Sequence, residues 1–425
     1  MGELRMNWAR NITFRAARVH TPASVDELRR LVADSPRLRA LGTGHSFNAI
    51  ADSAGDQVSL AGLPPLMRLD PANATVTVAS GVRYGELAQY LDREGYALHN
   101  LGSLPHISVV GACATGTHGS GVANGNLATA VRAVEMITAT GDVVTVSRDA
   151  DGDQFLGSVV ALGLLGVVTS LTLDVGPTFD VAQYVYENLP LSRLQEHVDE
   201  VFSAAYSVSA FTDWRAPLIN QVWVKQRLAE SGQADADPHW MDLQLADGPR
   251  HPVPGMSASN STEQLGKPGP WHQRLPHFRL DFTPSSGEEL QTEYFVARES
   301  AVQVLGALNE IRQQIAPVLQ ITELRTIAAD DMWLSPAYRR DSLAVHFTWI
   351  KDIDAVAPVV AAVEEQLAPY DARPHWGKVF STPPDVVSAL YKRLPDFSAL
   401  AYRYDPTGKF RNEFVDRYIP VGNQN

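Results

Sequence analysis

The chain has 425 residues, enough for two or three domains of about 150 residues and for a large apolar core without covalent staples. Its 35 Lys and Arg against 48 Asp and Glu leave a formal charge of −13, which argues against a nucleic-acid backbone or an anionic membrane surface as partner. The one cysteine, Cys113, excludes an internal disulfide and any cysteine-rich metal site. The first residues, MGELRMNWAR, show no apolar stretch of secretory type, and Met6 stands where an acylation signal wants Ser or Thr, so a cytoplasmic location is expected.

Ser24–Ala33 reads as a helix, with Val25, Leu28 and Leu31 on one face and Ser24 as N-cap. A short strand, Leu38–Leu41, runs into the glycine loop Gly42-Thr43-Gly44-His45-Ser46. Thr75–Ala79 alternates as a strand does, and Tyr84–Arg93 returns to helical spacing. Val131–Ala139 and Val143–Val146 flank Thr140-Gly141-Asp142, a hairpin signal. Phe155–Leu173 carries no charge and approaches the length of a membrane span. Gly163 and Gly166 divide it, however, so a buried helix, turn and strand is expected, with Val167–Val175 as the strand.

The composition changes after about Pro177. Ala229–Pro238 is small, polar and mildly acidic, and reads as an exposed loop. Asp247–Pro276 holds six prolines and four glycines, an irregular stretch whose Trp271 and His272, with Phe278 beyond, favour an ordered loop. Glu299–Ala316 reads as one helix with Val304, Leu305, Leu308, Ile311 and Ile315 on one face. Thr322–Ile327 and Leu343–Ile350 read as strands, and Ala355–Ala368 as a helix with Pro358 in its first turn. Residues 178–375 are therefore expected to form a sheet backed by helices.

Three segments carry chemical potential. Leu41–Phe47 follows a strand, and its glycines would let successive N–H groups point into one concavity that suits a phosphate; a tight turn with an incidental histidine reads equally from it. It is no Rossmann fingerprint, because Phe47 occupies the third glycine position. Gly102–Gly121 is dense in Gly, Ser, Thr and Ala: either two glycine-rich turns joined by a strand, or a backbone lying flat against a large planar ligand. Glu323 and Arg325, two apart on a strand, face one side, as do His346 and Thr348. Their face is a solvated one with a salt bridge, or the lining of a pocket for a neutral, hydroxyl-rich substrate. Lys378, among apolar neighbours, either snorkels or points into a site. His45, His99, His106 and His118 match no metal-ligand spacing, and no metal is expected. There is no GxSxG elbow and no GxxxxGK[ST] loop.

Taken together, LGTGHSF, SLPHISVVGACATGTHGSG, ALGLLGVVTSLTL, TDWR, ELRT, HFTW, HWGK and DPTGKF resemble, in order and along nearly the whole chain, the vanillyl-alcohol-oxidase class of FAD enzymes. Within that class they resemble the sugar-alcohol and aldonolactone oxidases. The resemblance implies an α+β, two-domain FAD-binding fold of the PCMH type: an FAD-binding domain over 1–177, a substrate domain over 178–375, and a segment 376–425 returning to the first. It implies FAD attached covalently through His45. Ala40, Leu41, Gly42, Thr43, Gly44 and Ser46 would hold the pyrophosphate. Ser103, Ser108, Gly111, Ala114, Thr115, Gly116 and Thr117 would line the cofactor, with Val167 near its adenine end and His375 near its ring. Ser103, Glu323, Arg325, His346, Thr348 and Lys378 would surround a polyol such as xylitol or sorbitol.

In the implied reaction a primary alcohol yields a hydride to flavin N5 and a proton to the protein. O2 then reoxidises the flavin, giving hydrogen peroxide, and Gly102 beside the ring would admit it. Arg325 and Lys378 would stabilise developing alkoxide charge, and His346, if neutral, would accept the proton. The rivals are an aldonolactone oxidoreductase and a flavin- or sugar-binding protein without turnover. A monomer, with no nucleic acid and no membrane as partner, is expected.

Overall fold

The computed structural model describes residues 5–229, 240–282 and 288–422. The expected loop Ala229–Pro238 lies outside the described residues, apart from its exposed first residue.

Two small sheets build the N-terminal body. The first is parallel, with β1 (Arg18–His20), β2 (Leu38–Leu41) and β3 (Asp56–Ser59) in the order β1-β3-β2. The helix Val25–Asp34 feeds β2. The Ser24 hydroxyl accepts the Glu27 N–H at 3.2 Å, and Leu28 and Val32 are buried beneath it. The second sheet is antiparallel: β4 (Met67–Asp70), β5 (Thr75–Ala79), β6 (Val131–Ile137), β7 (Val143–Ser147) and β8 (Val167–Asp174), in the order β4-β5-β8-β6-β7. The expected strands Thr75–Ala79 and Val167–Val175 and the hairpin at Gly141 fall here, and the expected strand Leu38–Leu41 is β2 of the first sheet. The uncharged run Phe155–Leu173 resolves into the end of the helix Arg148–Ser158, a turn, and most of β8. Among the described residues no helix is long and apolar enough to cross a membrane.

Gly102–Gly121 departs from the strand reading. Val109–Ala114 is a short helix that buries Val109, Ala112 and Cys113. Those positions follow i, i+3, i+4, so the apolar residues anchor a helix face and leave Gly111 and Ala114 on the other side.

A large sheet follows. It holds β9 (Asp180–Pro190), β10 (Ser207–Thr212), β11 (Leu218–Arg227), β12 (Glu289–Ala297), β13 (Leu319–Ile327) and β14 (Ser342–Ile350). The order is β9-β11-β10-β13-β14-β12, with two-residue strands 244–245 and 373–374 at the edges and 269–270 also paired to β9. Its far face is covered by helices, among them Ala301–Glu310 and Ile353–Leu367, which bury Val304, Leu305, Val356 and Val363. The single helix expected over Glu299–Ala316 breaks at Ile311, after the weak helix former Asn309, and a second piece, Arg312–Ile315, keeps Ile315 on the same core. The proline-rich stretch is ordered as expected: Trp271 is fully buried, its backbone N–H donates to the Phe179 carbonyl at 3.0 Å, and Gly269–Pro270 pair with the edge of β9.

After Pro374 the chain packs on the N-terminal body again. Lys409 Nζ donates to the carbonyls of Val32, Ala33 and Ala139. The buried Arg39 guanidinium bonds the carbonyls of Phe410, Ile50 and Leu162, and Asn412 bonds those of Ala49, Ile50 and Asp52. Asp405 closes the turn by accepting the N–H groups of Lys409 and Phe410 at 2.9 and 2.7 Å. The DPTGKF stretch is thus a clasp between distant parts of the chain.

Candidate active site

A cavity of about 800 Å³ lies where the N-terminal body meets the open face of the large sheet. One wall is main chain. The N–H groups of Thr43, Gly44, His45 and Ser46 donate to no protein acceptor among the described residues, and Gly44 holds a φ of +71° that favours glycine. Phe47 N–H donates to the Gly377 carbonyl at 2.7 Å and Trp8 N–H to that of Gly44 at 2.8 Å, which pin the loop at both sides. The His45 ring stacks on Trp8, centroids 5.1 Å apart, and its Nδ1 lies 2.9 Å from Thr43 Oγ1. Burial, helped by His106 and Lys378, pushes its pKa down to about 4, so the imidazole is neutral with a free lone pair. Opposite, a Cβ on Gly42 or Gly111 would come within 2.6 or 2.7 Å of Ser108 Oγ.

The facing wall is made of side chains. In the antiparallel register Glu323 of β13 and Glu293 of β12 both stand opposite His346 of β14, and Gln291 stands opposite Thr348. Period two puts all of these on the cavity face, while Leu324, Val345 and Phe347 enter the core behind. Arg325 grips both carboxylate oxygens of Glu323 and donates to Ser103 Oγ. His277, from the proline-rich stretch, reaches the same carboxylate with Nε2 at 2.6 Å, and buried Lys225 donates to its Nδ1 at 3.0 Å. Lys378 Nζ bonds Gln291 Oε1 and sits 5.0 Å above the Phe47 ring. His346 Nε2 lies 3.2 Å from Thr348 Oγ1. The solvated-face reading of these strands is overturned: Glu323 and Arg325 are 5% and 7% exposed. Lys378 is directed into the site rather than snorkelling outward.

Electrostatics sorts the charges. Burial opposes ionisation of Glu323, but Arg325 and His277 outweigh it and hold the carboxyl well below the usual range. Burial works against Arg325 too, and Glu323 overcomes it, so the guanidinium stays charged. Burial pulls His346 below its ordinary value, a pull only partly offset by Glu293, and the ring is neutral. Burial also lowers Lys378. A wall with one fixed guanidinium, one buried ammonium, one neutral imidazole and several hydroxyl and amide groups can bind a neutral polyhydroxy molecule and steady a developing oxyanion.

Sequence comparison identifies the same architecture. A model described as an FAD binding domain matches residues 16–147, and one described as D-arabinono-1,4-lactone oxidase matches residues 287–418. The chain is 52% identical over 413 residues to the alditol oxidase of Streptomyces sp. (strain IKD472 / FERM P-14339), covering 96% of this chain and 97% of that protein. The chain belongs to the alditol oxidase family. More distant relatives include the L-gulono-1,4-lactone dehydrogenase of Mycobacterium tuberculosis at 28% identity, covering 99% and 100%, and the L-gulonolactone oxidase of Bos taurus at 26%, covering 97% of each. Among solved structures, a cholesterol oxidase from B. sterolicum superposes with TM-score 0.77 at 14% identity, covering 98% and 96%. A xylooligosaccharide oxidase from Myceliophthora thermophila C1 gives 0.76 at 15%, covering 99% and 94%. These structural likenesses bear on the fold alone, which is that of the vanillyl-alcohol-oxidase type.

The protein is an FAD-dependent oxidoreductase of that family, and its cavity suits the cofactor: the four N–H groups without a protein acceptor among the described residues would face a diphosphate. The expected residues Ala40, Leu41, Gly42, Thr43, Gly44, His45, Ser46, Ser103, Ser108, Gly111, Ala114, Thr115, Thr117, Glu323, Arg325, His346, Thr348, His375 and Lys378 all line it. Two do not. The Val167 side chain turns into the core beside Leu28, Val58 and Phe410, leaving Gly166 and Val168 at the cavity, because successive strand residues alternate faces. Gly116 faces Pro336 instead.

Sequence reasoning missed Trp8, Gln291, Glu293, His277 and Lys225. Gln291 and Glu293 alternate in β12 as Glu323 and Arg325 do in β13, and that period was the available signal. His277 had none, since an irregular stretch delivers it across the fold.

Proposed function

We propose that the protein oxidises alditols such as xylitol and sorbitol at a terminal carbinol to the aldose, with FAD held covalently by His45 and O2 as final acceptor, giving hydrogen peroxide. The observation that carries this reading is the hydroxyl-binding wall on β12–β14, set across the cavity from the unpaired N–H groups of 43–46. FAD, when bound, supplies the hydride acceptor. The neutral His45 imidazole and its stacking on Trp8 present a positioned nucleophilic nitrogen for the covalent bond.

The side chains do the rest. Glu323, Ser103 and Thr348 fix hydroxyl groups of the chain. Arg325, itself clamped by Glu323, and Lys378 place positive charge where the carbinol oxygen becomes negative. His346 takes the hydroxyl proton, for which its lowered pKa keeps it free at neutral pH. Polar groups this deeply buried reject analogues that lack the matching hydroxyls, because each would be left unpaired. The aldonolactone reading draws on the model matching 287–418, which spans Glu323, Arg325, His346, Thr348 and Lys378; the gulonolactone relatives that span nearly the whole chain stand at 28% and 26% identity. The protein acts alone, as a monomer in the cytoplasm, without nucleic acid or membrane.

The test begins with the visible spectrum before and after acid precipitation. A yellow precipitate is expected, and His45→Ala should leave flavin dissociable or absent; free yellow supernatant from wild type would refute the linkage. Peroxide release on xylitol and sorbitol should exceed that on aldonolactones, and the reverse ranking would favour the lactone reading.

A further inference from the structure

Beside His346, on the same cavity face, stands a carboxylate that the hydroxyl contacts above do not use. Glu293 is 4% exposed and stands in register opposite His346. Its Oε1 is 3.0 Å from His118 Nε2 and 3.6 Å from His346 Nδ1, the second an ion-pair distance rather than a hydrogen bond. The other ring nitrogens have partners of their own. His118 Nδ1 lies 2.7 Å from the Gly119 carbonyl oxygen, and His346 Nε2 lies beside Thr348 Oγ1. A carbonyl only accepts, so His118 Nδ1 donates to Gly119, and His118 Nε2 faces Glu293. Burial opposes ionisation of Glu293, yet His118 and His346 together hold it well below the usual carboxylate range, so Glu293 is the anion of the group. The other charged or titratable groups facing this cluster are His375, Lys378, Glu323 and Arg325.

We propose that Glu293, held in place by His118, is the positioning residue for proton removal. Resting on the alditol reading, it keeps the His346 proton on Nδ1, leaves Nε2 bare towards the substrate, and steadies the charge His346 gains. In that step the carbinol O–H bond breaks and an N–H bond forms at Nε2. The two electrons of the carbinol C–H bond leave with the hydrogen as hydride to FAD, and the carbon–oxygen bond becomes a carbonyl. The arrangement is a carboxylate–imidazole couple built across two strands.

Glu293→Gln keeps the shape and removes the charge. It should lower kcat on sorbitol by about 100-fold. KM should change by less than about threefold. The acid limb of kcat/KM should move to lower pH, since the anion favoured the protonated form of His346. An unmoved limb with kcat within about threefold of wild type overturns the proposal. Nitrogen-15 NMR of histidine-labelled wild-type holoenzyme, with His346 assigned by its loss in His346→Asn, reads the tautomer whether or not Glu293→Gln folds. Protonated Nδ1 and bare Nε2 are expected, and the opposite tautomer overturns the proposal. Flavin that stays oxidised with every polyol would remove the alditol reading, whereas the tautomer tests Glu293 by itself.

Discussion

The loop 42–46 and the strands β12–β14 confront each other across one cavity and work by opposite means. The loop offers main-chain N–H groups, and apart from His45 added bulk rather than loss is what harms it. The strands offer charged groups locked by neighbours, Arg325 by Glu323 and Ser103, Glu323 by His277, Lys378 by Gln291. They suffer from loss, because removing one partner strands another in a buried place. A backbone surface suits the invariant part of a reaction, the cofactor, and a side-chain surface suits the part that selects.

That contrast breaks first at Lys378. Lys378→Met should cut kcat/KM on sorbitol by about 100-fold or more, while the flavin content holds; full turnover with unchanged binding would remove Lys378 from the chemistry. Gly42→Ala should act on the other wall, weakening retention of noncovalent FAD by about tenfold in a His45→Ala background. Because the new Cβ meets Ser108 Oγ at 2.6 Å, adding Ser108→Ala should restore part of the loss, and a double variant no better than the single one would show that the approach is not what matters.

The pH profile sharpens the side-chain wall. Burial lowers His346 below its ordinary 6.5, and the neutral ring does the work, so kcat/KM should rise to a plateau at a pH below 6.5. Burial also lowers Lys378 from its ordinary 10.5, so activity should fall again as it loses its proton below that value. A rate still rising above pH 8 would contradict a neutral resting His346. The smallest effect belongs to Gly102, where an added Cβ meets only ordinary contacts at 3.7 Å or more. Gly102→Val should slow reoxidation by O2 about tenfold and reduction by sorbitol far less, as read in the two half-reactions by stopped flow; equal slowing would deny it a gating role.

How legible each wall was follows from the same contrast. The glycine loop after β2 announced itself, since few sequences carry glycine and small polar residues so densely without a backbone reason. Glu323, Arg325, His346 and Thr348 were visible as alternating polar residues, but alternation alone could not tell a wet face from a buried one; the covering body decides that, and it comes from distant sequence. Gln291 and Glu293 carried the same alternation. His277 was illegible because no local pattern records where an irregular stretch will lay a ring. Most strands and helices of the N-terminal body matched their local patterns to within a few residues, whereas the helix Val109–Ala114 was set by the burial of its apolar face, and the break at Ile311 follows the weak helix former Asn309.

The clasp around Arg39 has a consequence for synthesis. A guanidinium near the beginning of the chain waits for the Phe410 carbonyl, 371 positions later, before its hydrogen-bond set is complete. A ribosome still translating the middle of the message holds a nascent half in which the cavity wall at Arg39 lacks its last support. Tight capture of the prosthetic group should therefore wait until Phe410 has been made and packed, and shortening the message before codon 405 should yield colourless protein.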